Sequence, residues 1–264
     1  MPLITSRTPL GYQNPYRAIR PVSSKIIFLS CEGSVTEEEY FEHISNLFDG
    51  IKTKIQFISV AEDAVHTALK ARTPEQKSML SKVRPIQLVN RIEEFKREKN
   101  YIYQFSEFPD DEFWIVVDVD KNWSDEIVNL AEAKTYKDEW NEAISLCQER
   151  NYGYAVSNPF FEMWLLLHHD SPTPEDEAYA VTEEHPYEKT NHFLTRLKDL
   201  GAPLKKKKSI NTADYTFDKV KDAITRAEEL HKDKTDLTPH YFTTTVYMLL
   251  NKLMEMLPQD AQDE

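Results

Sequence analysis

One stretch of the chain decides its fold: Phe113-Trp114-Ile115-Val116-Val117-Asp118-Val119-Asp120. Its first five residues are all apolar, and an unbroken apolar run is typical of a β-strand that is buried on both faces. Strands of this kind occur in parallel sheets that helices cover on both sides. Two aspartates end the stretch, so the sequence places carboxylates directly at the end of the predicted strand.

Shorter apolar runs lie on both sides of this stretch, and we predict strands at 25–30, 55–60 and 154–157. Helical patterns stand between them, over 62–71, 86–99 and 124–150, and again after Asn158-Pro159. Thr36 and Glu39 have the spacing of a capping box, which predicts a helix directly after the first strand. Strands that alternate with helices predict an α/β fold with a mainly parallel sheet.

The chain divides into three parts by composition. Residues 1–22 are polar and interrupted by prolines, which indicates a lead-in segment, and residues 23–170 contain the predicted strands. Residues 171–264 begin with a proline-rich, acidic linker that extends to residue 189. Helical patterns follow near 190–200, 216–232 and 240–256. We therefore predict an α/β domain with a helical C-terminal appendage.

Composition excludes several classes of function. The 5 glycines stand singly, so the sequence has neither a GxGxxG nor a GxxxxGK[ST] phosphate loop, and any ATPase activity would come from a partner. Apolar runs are too short for a membrane span, and the N-terminus lacks a signal-peptide core. The 2 cysteines, Cys31 and Cys147, favour buried thiols in a reducing cytoplasm over a disulfide framework.

The charge of the chain is strongly negative but uneven. A formal net charge of −13 argues against a surface that coats nucleic acid. Basic residues nevertheless concentrate in the segments 70–99 and 205–208, which would suit a phosphate backbone, although such runs are also common on solvated faces. The candidate nucleic-acid contacts that we select from these segments are Lys82, Arg84, Arg91, Lys205 and Lys206.

Polar side chains follow three of the predicted strands. They are Glu32 after the first, Asp118 and Asp120 after the central one, and Asn158 with Glu162 after the last. Ligands of open α/β sheets bind at the carboxyl ends of the strands, and in an extended chain Asp118 and Asp120 would point the same way. Clustered carboxylates repel one another unless they share a cation, and hard oxygen ligands suit Mg²⁺ or Mn²⁺. Two such ions would stabilise the attacking and leaving oxygens of a phosphodiester.

Each of these residues also has a purely structural interpretation. A single Asp-x-Asp is common at the end of a strand, and Glu32 could simply terminate one. The glutamates at 37–39 and Glu162 stand in first helical turns, where the helix dipole favours negative charge. His168 and His169 are a general base or ligand on one interpretation and a C-terminal helix cap on the other, which we favour. The convergence of separate strand ends is what favours a functional site.

Three segments resemble, in order, the motifs of the RloB-like abortive-infection family. They are Ile27–Phe41 (IFLSCEGSVTEEEYF), Asp111–Asp120 (DEFWIVVDVD) and Ser157–Leu166 (SNPFFEMWLL). Tyr241–Tyr247 (YFTTTVY) resembles the C-terminal end of the family more weakly. The resemblance implies a Toprim-related fold, of the kind found in topoisomerases and primases.

The same resemblance implies roles for individual residues. Toprim domains share a glutamate after the first strand and an Asp-x-Asp after a later one, which correspond here to Glu32, Asp118 and Asp120. Glu32 would be a metal ligand or a general acid/base, the aspartates would hold Mg²⁺ (or Mn²⁺), and Glu162 and Asn158 would complete the site. Family members resemble one half of phage-defence pairs whose other half is an ABC/AAA-type ATPase, which fits the missing phosphate loop.

Three hypotheses for the function follow. The first is a metal-dependent nuclease that cuts DNA or RNA in an anti-phage system under the control of a partner ATPase. The second is a non-catalytic sensor of nucleic acid or nucleotide that uses the acidic cluster only to bind metal. The third is an interaction protein in which the helical C-terminal part acts on a partner.

Overall fold

The computed structural model describes residues 25–33, 35–48, 53–58, 83–119, 124–129, 133–180, 191–238 and 241–255. The strands in these ranges are β1 (Lys25–Cys31), β2 (Thr53–Phe57), β3 (Glu112–Asp118), β4 (Ile127–Asn129), β5 (Lys134–Thr135), β6 (Gly153–Asn158) and β7 (Thr243–Thr244). The helices are α1 (Thr36–Leu47), α2 (Pro85–Tyr103), α3 (Tyr136–Glu149), α4 (Phe161–Leu166), α5 (Pro174–Ala180), α6 (His192–Asp199), α7 (Phe217–Leu230) and α8 (Val246–Met254).

Five of these strands form one sheet in the order β2-β1-β3-β6-β7. The first four run parallel to one another, and β7 pairs with β6 in the antiparallel direction. The remaining two, β4 and β5, form a separate antiparallel ribbon. This architecture confirms the predicted α/β class with a mainly parallel sheet, and it is consistent with a Rossmann-like or Toprim-like fold.

Side chains of β3 alternate between two hydrophobic cores, one on each face of the sheet, because successive residues of a strand point to opposite sides. Trp114 and Val116 contribute to the core that α1, α4, α6, α7 and α8 cover. Phe113, Ile115 and Val117 contribute to the core that α2 and α3 cover. Burial on both faces explains why this strand is an unbroken apolar run.

The predicted elements agree with the structure at β1, β3 and β6, and α2 begins at Pro85, in the first helical position that suits proline. The helix predicted over 124–150 is wrong in its first part, where the β4–β5 ribbon lies. That helix starts at Tyr136 because Thr135 caps it: the Thr135 hydroxyl accepts a hydrogen bond from the Asp138 backbone N–H. The helix predicted over 62–71 lies outside the described residues.

The acidic segment that we interpreted as a linker contains α5. Its Asp176 is buried and accepts hydrogen bonds from the Thr173 backbone N–H, at 2.7 Å, and from Arg196 of α6. A buried carboxylate with several donors is stable only when the chain around it is ordered. This bonding therefore accounts for a helix that the composition did not indicate.

The C-terminal residues share the core of the α/β domain. Ser157 and Asn158 of β6 pair with Thr244 and Thr243 of β7, and α8 packs against β6. At the other end of the sheet, Lys252 of α8 bonds to the Glu112 carboxylate at 3.1 Å. The domain boundary placed after residue 170 stays a prediction, but the sheet and its core extend beyond it.

Gly153 provides a test of how tightly β3 and β6 pack. It is the register partner of Trp114, and a Cβ atom at position 153 would lie 2.2 Å from the indole ring. Because the ring is buried in a packed core, we predict that Gly153→Ala lowers the free energy of unfolding by about 1–3 kcal/mol. Urea denaturation of the two chains measures this difference.

The matched control places the same alanine opposite a smaller ring. In a Trp114→Phe background, Gly153→Ala should cost clearly less than it does opposite tryptophan, since the clash is with the indole. Equal costs in the two backgrounds would show that the close approach to Trp114 is not what requires glycine.

Candidate functional site

The ends of β1 and β3 are tied together by Glu32. Its backbone N–H donates to the Val116 carbonyl at 2.9 Å, and its carboxylate oxygen Oε2 accepts from the Asp118 backbone N–H at 3.1 Å. The parallel register between Cys31 and Val116 brings these groups to the same edge of the sheet. The structure thus brings together two of the predicted site residues, Glu32 and Asp118, at the carboxyl ends of neighbouring strands.

The end of β6 extends this edge. Asp118 is the register partner of Ser157, and the Val119 backbone N–H donates to the Ser157 carbonyl at 2.8 Å. A cis peptide bond follows at Asn158-Pro159, and α4 begins two residues later. Glu162, in the first turn of that helix, is only 5% exposed. A carboxylate this well buried requires a compensating partner.

That partner is Lys208, which comes from the C-terminal part of the chain. Its ammonium nitrogen Nζ donates to Glu162 Oε1 at 2.9 Å, while 61% of its side chain remains exposed. Partial desolvation opposes the charged form of Lys208, but the nearby carboxylates outweigh it and raise its pKa. The contributing carboxylates are those of Glu162, Asp118 and Glu37.

A fourth carboxylate, Glu37 of α1, lies in the same cluster. Its Oε1 accepts a hydrogen bond from the Gly33 backbone N–H at 3.1 Å. A Cβ atom at position 33 would stand 2.0 Å from the other oxygen of this carboxylate, so any other residue there would displace the Glu37 carboxylate from its place. Burial raises the pKa of Glu37 to about 7, and the charge of Glu162 adds to the shift. Ionising Glu37 therefore costs the folded chain free energy, mainly because the carboxylate is buried.

The loop that carries Lys208 is clamped to the start of α1. The Thr36 hydroxyl donates to the Lys208 carbonyl at 2.8 Å. Glu39 Oε2 accepts from the Ser209 hydroxyl at 2.6 Å and from the Ile210 backbone N–H at 3.0 Å. The predicted capping box is therefore wrong: Val35 is the N-cap, without a side-chain bond, and both side chains of the pattern hold a distant loop instead.

The basic residues predicted to contact nucleic acid differ in their surroundings. Arg91 lies beside the site, where its Nη1 donates to the Cys31 carbonyl at 3.1 Å. Arg84 forms an ion pair at 2.5 Å with Glu139, which is buried. Lys205 and Lys206 are exposed on the same loop as Lys208. Lys82 lies outside the described residues, so the structure does not place it.

Asp120, the second aspartate of the predicted metal site, also lies outside the described residues. Among the residues that the structure does describe, no group of three or more histidine, cysteine, aspartate or glutamate side chains has the arrangement of a metal site. The donors at the strand ends are nevertheless carboxylate oxygens, which suit Mg²⁺ or Mn²⁺. Burial, aided by the charge of Glu162, disfavours the ionised form of Glu37, and a cation bound nearby would favour it.

His168 and the two cysteines belong to the interior, whereas His169 is only partly buried. His168 is buried, its Nδ1 lies 3.0 Å from the Trp164 carbonyl, and its Nε2 lies 3.0 Å from the Tyr40 hydroxyl. Burial lowers the pKa of His168 to about 3, so the ring is neutral. It bonds a carbonyl in the last turn of α4, as the predicted helix cap would, but without the positive charge. Cys31 and Cys147 are buried free thiols, and burial raises the pKa of both.

Sequence reasoning missed two members of the site. The sequence alone assigns Glu37 to three glutamates that suit the helix dipole, and Lys208 to a basic run that either contacts a phosphate backbone or is solvated. Gly33, four residues before Glu37, was a local sign that a side chain needs space there. The ion pair from Lys208 to Glu162 spans 46 residues and had no local signal.

The comparison with protein families gives one match. The family model described as RloB-like protein matches residues 27–253, which is most of the chain and includes Glu32, Glu37, Asp118, Glu162 and Lys208. No curated protein and no solved structure matches the chain. Within the described residues, no helix combines the length and the apolar character that crossing a membrane requires.

The raised pKa of Glu37 predicts a pH-dependent stability difference. A carboxyl group whose pKa rises on folding destabilises the folded chain progressively as the pH increases from about 4.5 to about 7. Glu37→Gln cannot ionise, so it should gain stability over the wild type across this range, on the order of 2 kcal/mol. Urea denaturation in metal-free buffer at pH 5 and pH 8 measures both chains.

Glu42→Gln is the matched control, because Glu42 is an exposed glutamate on the same helix. It should show the same small difference from the wild type at both pH values. If Glu37→Gln behaved like Glu42→Gln, folding would not raise the pKa of the carboxyl group at position 37.

Proposed function

The chain belongs to the RloB-like protein family, and from this premise we propose that it is a metal-dependent nuclease. It would hydrolyse phosphodiester bonds of DNA or RNA in an anti-phage, abortive-infection system. The observation that carries the proposal is the hydrogen bond from the Asp118 backbone N–H to the Glu32 carboxylate, which joins the ends of two strands at the edge where α/β sheets bind their ligands.

Glu32, Asp118 and Asp120 are the residues that would hold the metal. Mg²⁺ or Mn²⁺ bound there would supply a Lewis acid for the phosphate and lower the pKa of a water molecule. Glu32 is suited to orient the attacking water because the Asp118 N–H fixes its carboxylate against the sheet. Glu37 is the group that would accept the proton, because its carboxylate lies in the same cluster, beside Gly33 and Lys208.

Cationic side chains beside the cluster would bind the nucleic acid. Arg91 is held at the end of β1 by the Cys31 carbonyl, and Lys205 and Lys206 are exposed on the loop that reaches the site. Arg84 is a weaker candidate, because its guanidinium is held by the buried Glu139. A local basic surface of this kind would let an otherwise acidic chain contact a phosphate backbone.

A partner ATPase would control the activity. The sequence contains neither a GxGxxG nor a GxxxxGK[ST] loop, which favours a partner protein as the source of any dependence on ATP. We propose an ABC/AAA-type ATPase for this role. The partner would also contribute positive surface that the chain, with its net charge of −13, lacks.

A second candidate function is a non-catalytic, metal-dependent sensor of nucleic acid or nucleotide. One observation favours it: a net charge of −13 is unusual for a chain that by itself holds and cuts a long phosphate backbone. A sensor needs a site that binds a charged ligand, whereas hydrolysis also needs the geometry that positions water against the phosphate.

We predict that the full chain cleaves DNA or RNA in the presence of Mg²⁺ or Mn²⁺, and that Asp118→Asn reduces the rate by about 100-fold or more. Asparagine keeps the size of the side chain and the backbone N–H that binds Glu32, so the sheet edge is retained. Cleavage of mixed single-stranded and double-stranded substrates, with and without EDTA, measures the effect. Asp125→Asn, at an exposed position, is the control and should retain full activity.

Binding measurements separate the two candidate functions. The nuclease predicts that Asp118→Asn loses cleavage while it still binds substrate. Metal-dependent binding of nucleic acid without any cleavage, alone or with the partner ATPase added, would sink the nuclease and favour the sensor.

A further inference from the structure

The positive charge that neutralises Glu162 comes from a side chain of the protein, Lys208. Lys208 Nζ lies 2.9 Å from Glu162 Oε1, and the carboxylates of Asp118 and Glu37 are close enough to act on the same ammonium group. Nucleases that use two metal ions place them about 3.5–4 Å apart among shared carboxylates. In this chain the Lys208 ammonium group already places one positive charge within the carboxylate cluster, at Glu162.

The backbone at Lys208 is held so that its side chain reaches the cluster. Lys208 ends the short 3₁₀ turn Lys206–Lys208 and has a φ of +62°, a left-handed conformation that lysine rarely adopts. Such a conformation persists only where the surroundings enforce it. The bonds that do so come from α1: Thr36 binds the Lys208 carbonyl, and Glu39 binds the next two residues.

We propose that the Lys208 ammonium group takes the place of a second metal ion, so that the site binds one divalent cation, at Glu32 and Asp118. This inference rests on the proposed metal centre and specifies its composition. A second divalent ion at Glu162 would have to displace the ammonium group from its carboxylate. The Lys208 ammonium group would also repel that ion, because hydrogen bonds from α1 hold the Lys208 backbone close to the cluster.

The number of bound ions tests this proposal directly. Metal-free full-length chain is titrated with Mn²⁺ alone, and the free ion is counted by electron paramagnetic resonance. The wild type should bind one Mn²⁺ per chain, and Lys208→Asn should bind two, because the Glu162 position becomes available. Asparagine is chosen because it tolerates a left-handed φ better than other uncharged residues of similar size.

Two variants serve as controls. Lys206→Asn removes the same charge from an exposed position of the same turn and should bind one ion. Lys208→Arg keeps a cation at the end of the side chain and should also bind one. Thermal unfolding of each variant shows that it is folded, and Lys208→Gly, which relieves the left-handed φ altogether, replaces Lys208→Asn if that chain is unstable.

The outcomes distinguish this inference from the proposed function. Two ions in the wild type, or one ion in folded Lys208→Asn, would overturn the role of Lys208 and leave the metal centre at Glu32 and Asp118 intact. Absence of Mn²⁺ binding in every variant would overturn the metal centre and this inference together.

Discussion

The structure depends on one electrostatic constraint: carboxylates from separate strands lie close together at one edge of a parallel sheet. Parallel strands place their carboxyl ends side by side, so whatever side chains follow them are forced into proximity. Here those side chains include Glu32 and Asp118, and Glu162 follows one strand further. Like charges in a partly buried site destabilise it unless donors and cations compensate them. The bonds around this edge supply that compensation.

Backbone N–H groups provide the first part of it. Asp118 and Gly33 each donate a backbone hydrogen bond to a glutamate of the cluster, at 3.1 Å in both cases. Such bonds favour the ionised carboxylate without adding a mobile group. They do not suffice for Glu37, whose pKa is raised to about 7 by burial and by Glu162. Lys208, which the C-terminal region brings to the cluster, lowers that pKa and gives Glu162 its cation.

This arrangement shows which parts of the molecule the sequence could predict. The buried strands were predictable because burial on both faces leaves an apolar run, as at Phe113–Val117, and Glu32 and Asp118 follow from where such runs end. The β4–β5 ribbon and α5 were not predictable, because their residues show no strong apolar periodicity. The Thr135 cap sets where the helix after the ribbon begins, and the hydrogen bonds of the buried Asp176 stabilise α5. The capping box predicted at Thr36 and Glu39 was wrong because the same side chains can instead hydrogen-bond a distant loop, here residues 208–210. The contacts of Lys208 depend on chain closure over long distances, which no local pattern encodes.

The clamp on Lys208 also indicates why the α/β core and the C-terminal region must fold as one. Thr36 and Glu39 belong to the motif after β1, yet their partners lie at 208–210. Without those partners, Glu162 would be left as a buried carboxylate without its ammonium group, which is far costlier than an exposed one. A chain that ended after residue 170 would retain Glu32 and Asp118 but lose the charge that makes their neighbourhood tolerable. The acidic site and the basic loop are therefore a single electrostatic unit, although they lie far apart in the sequence.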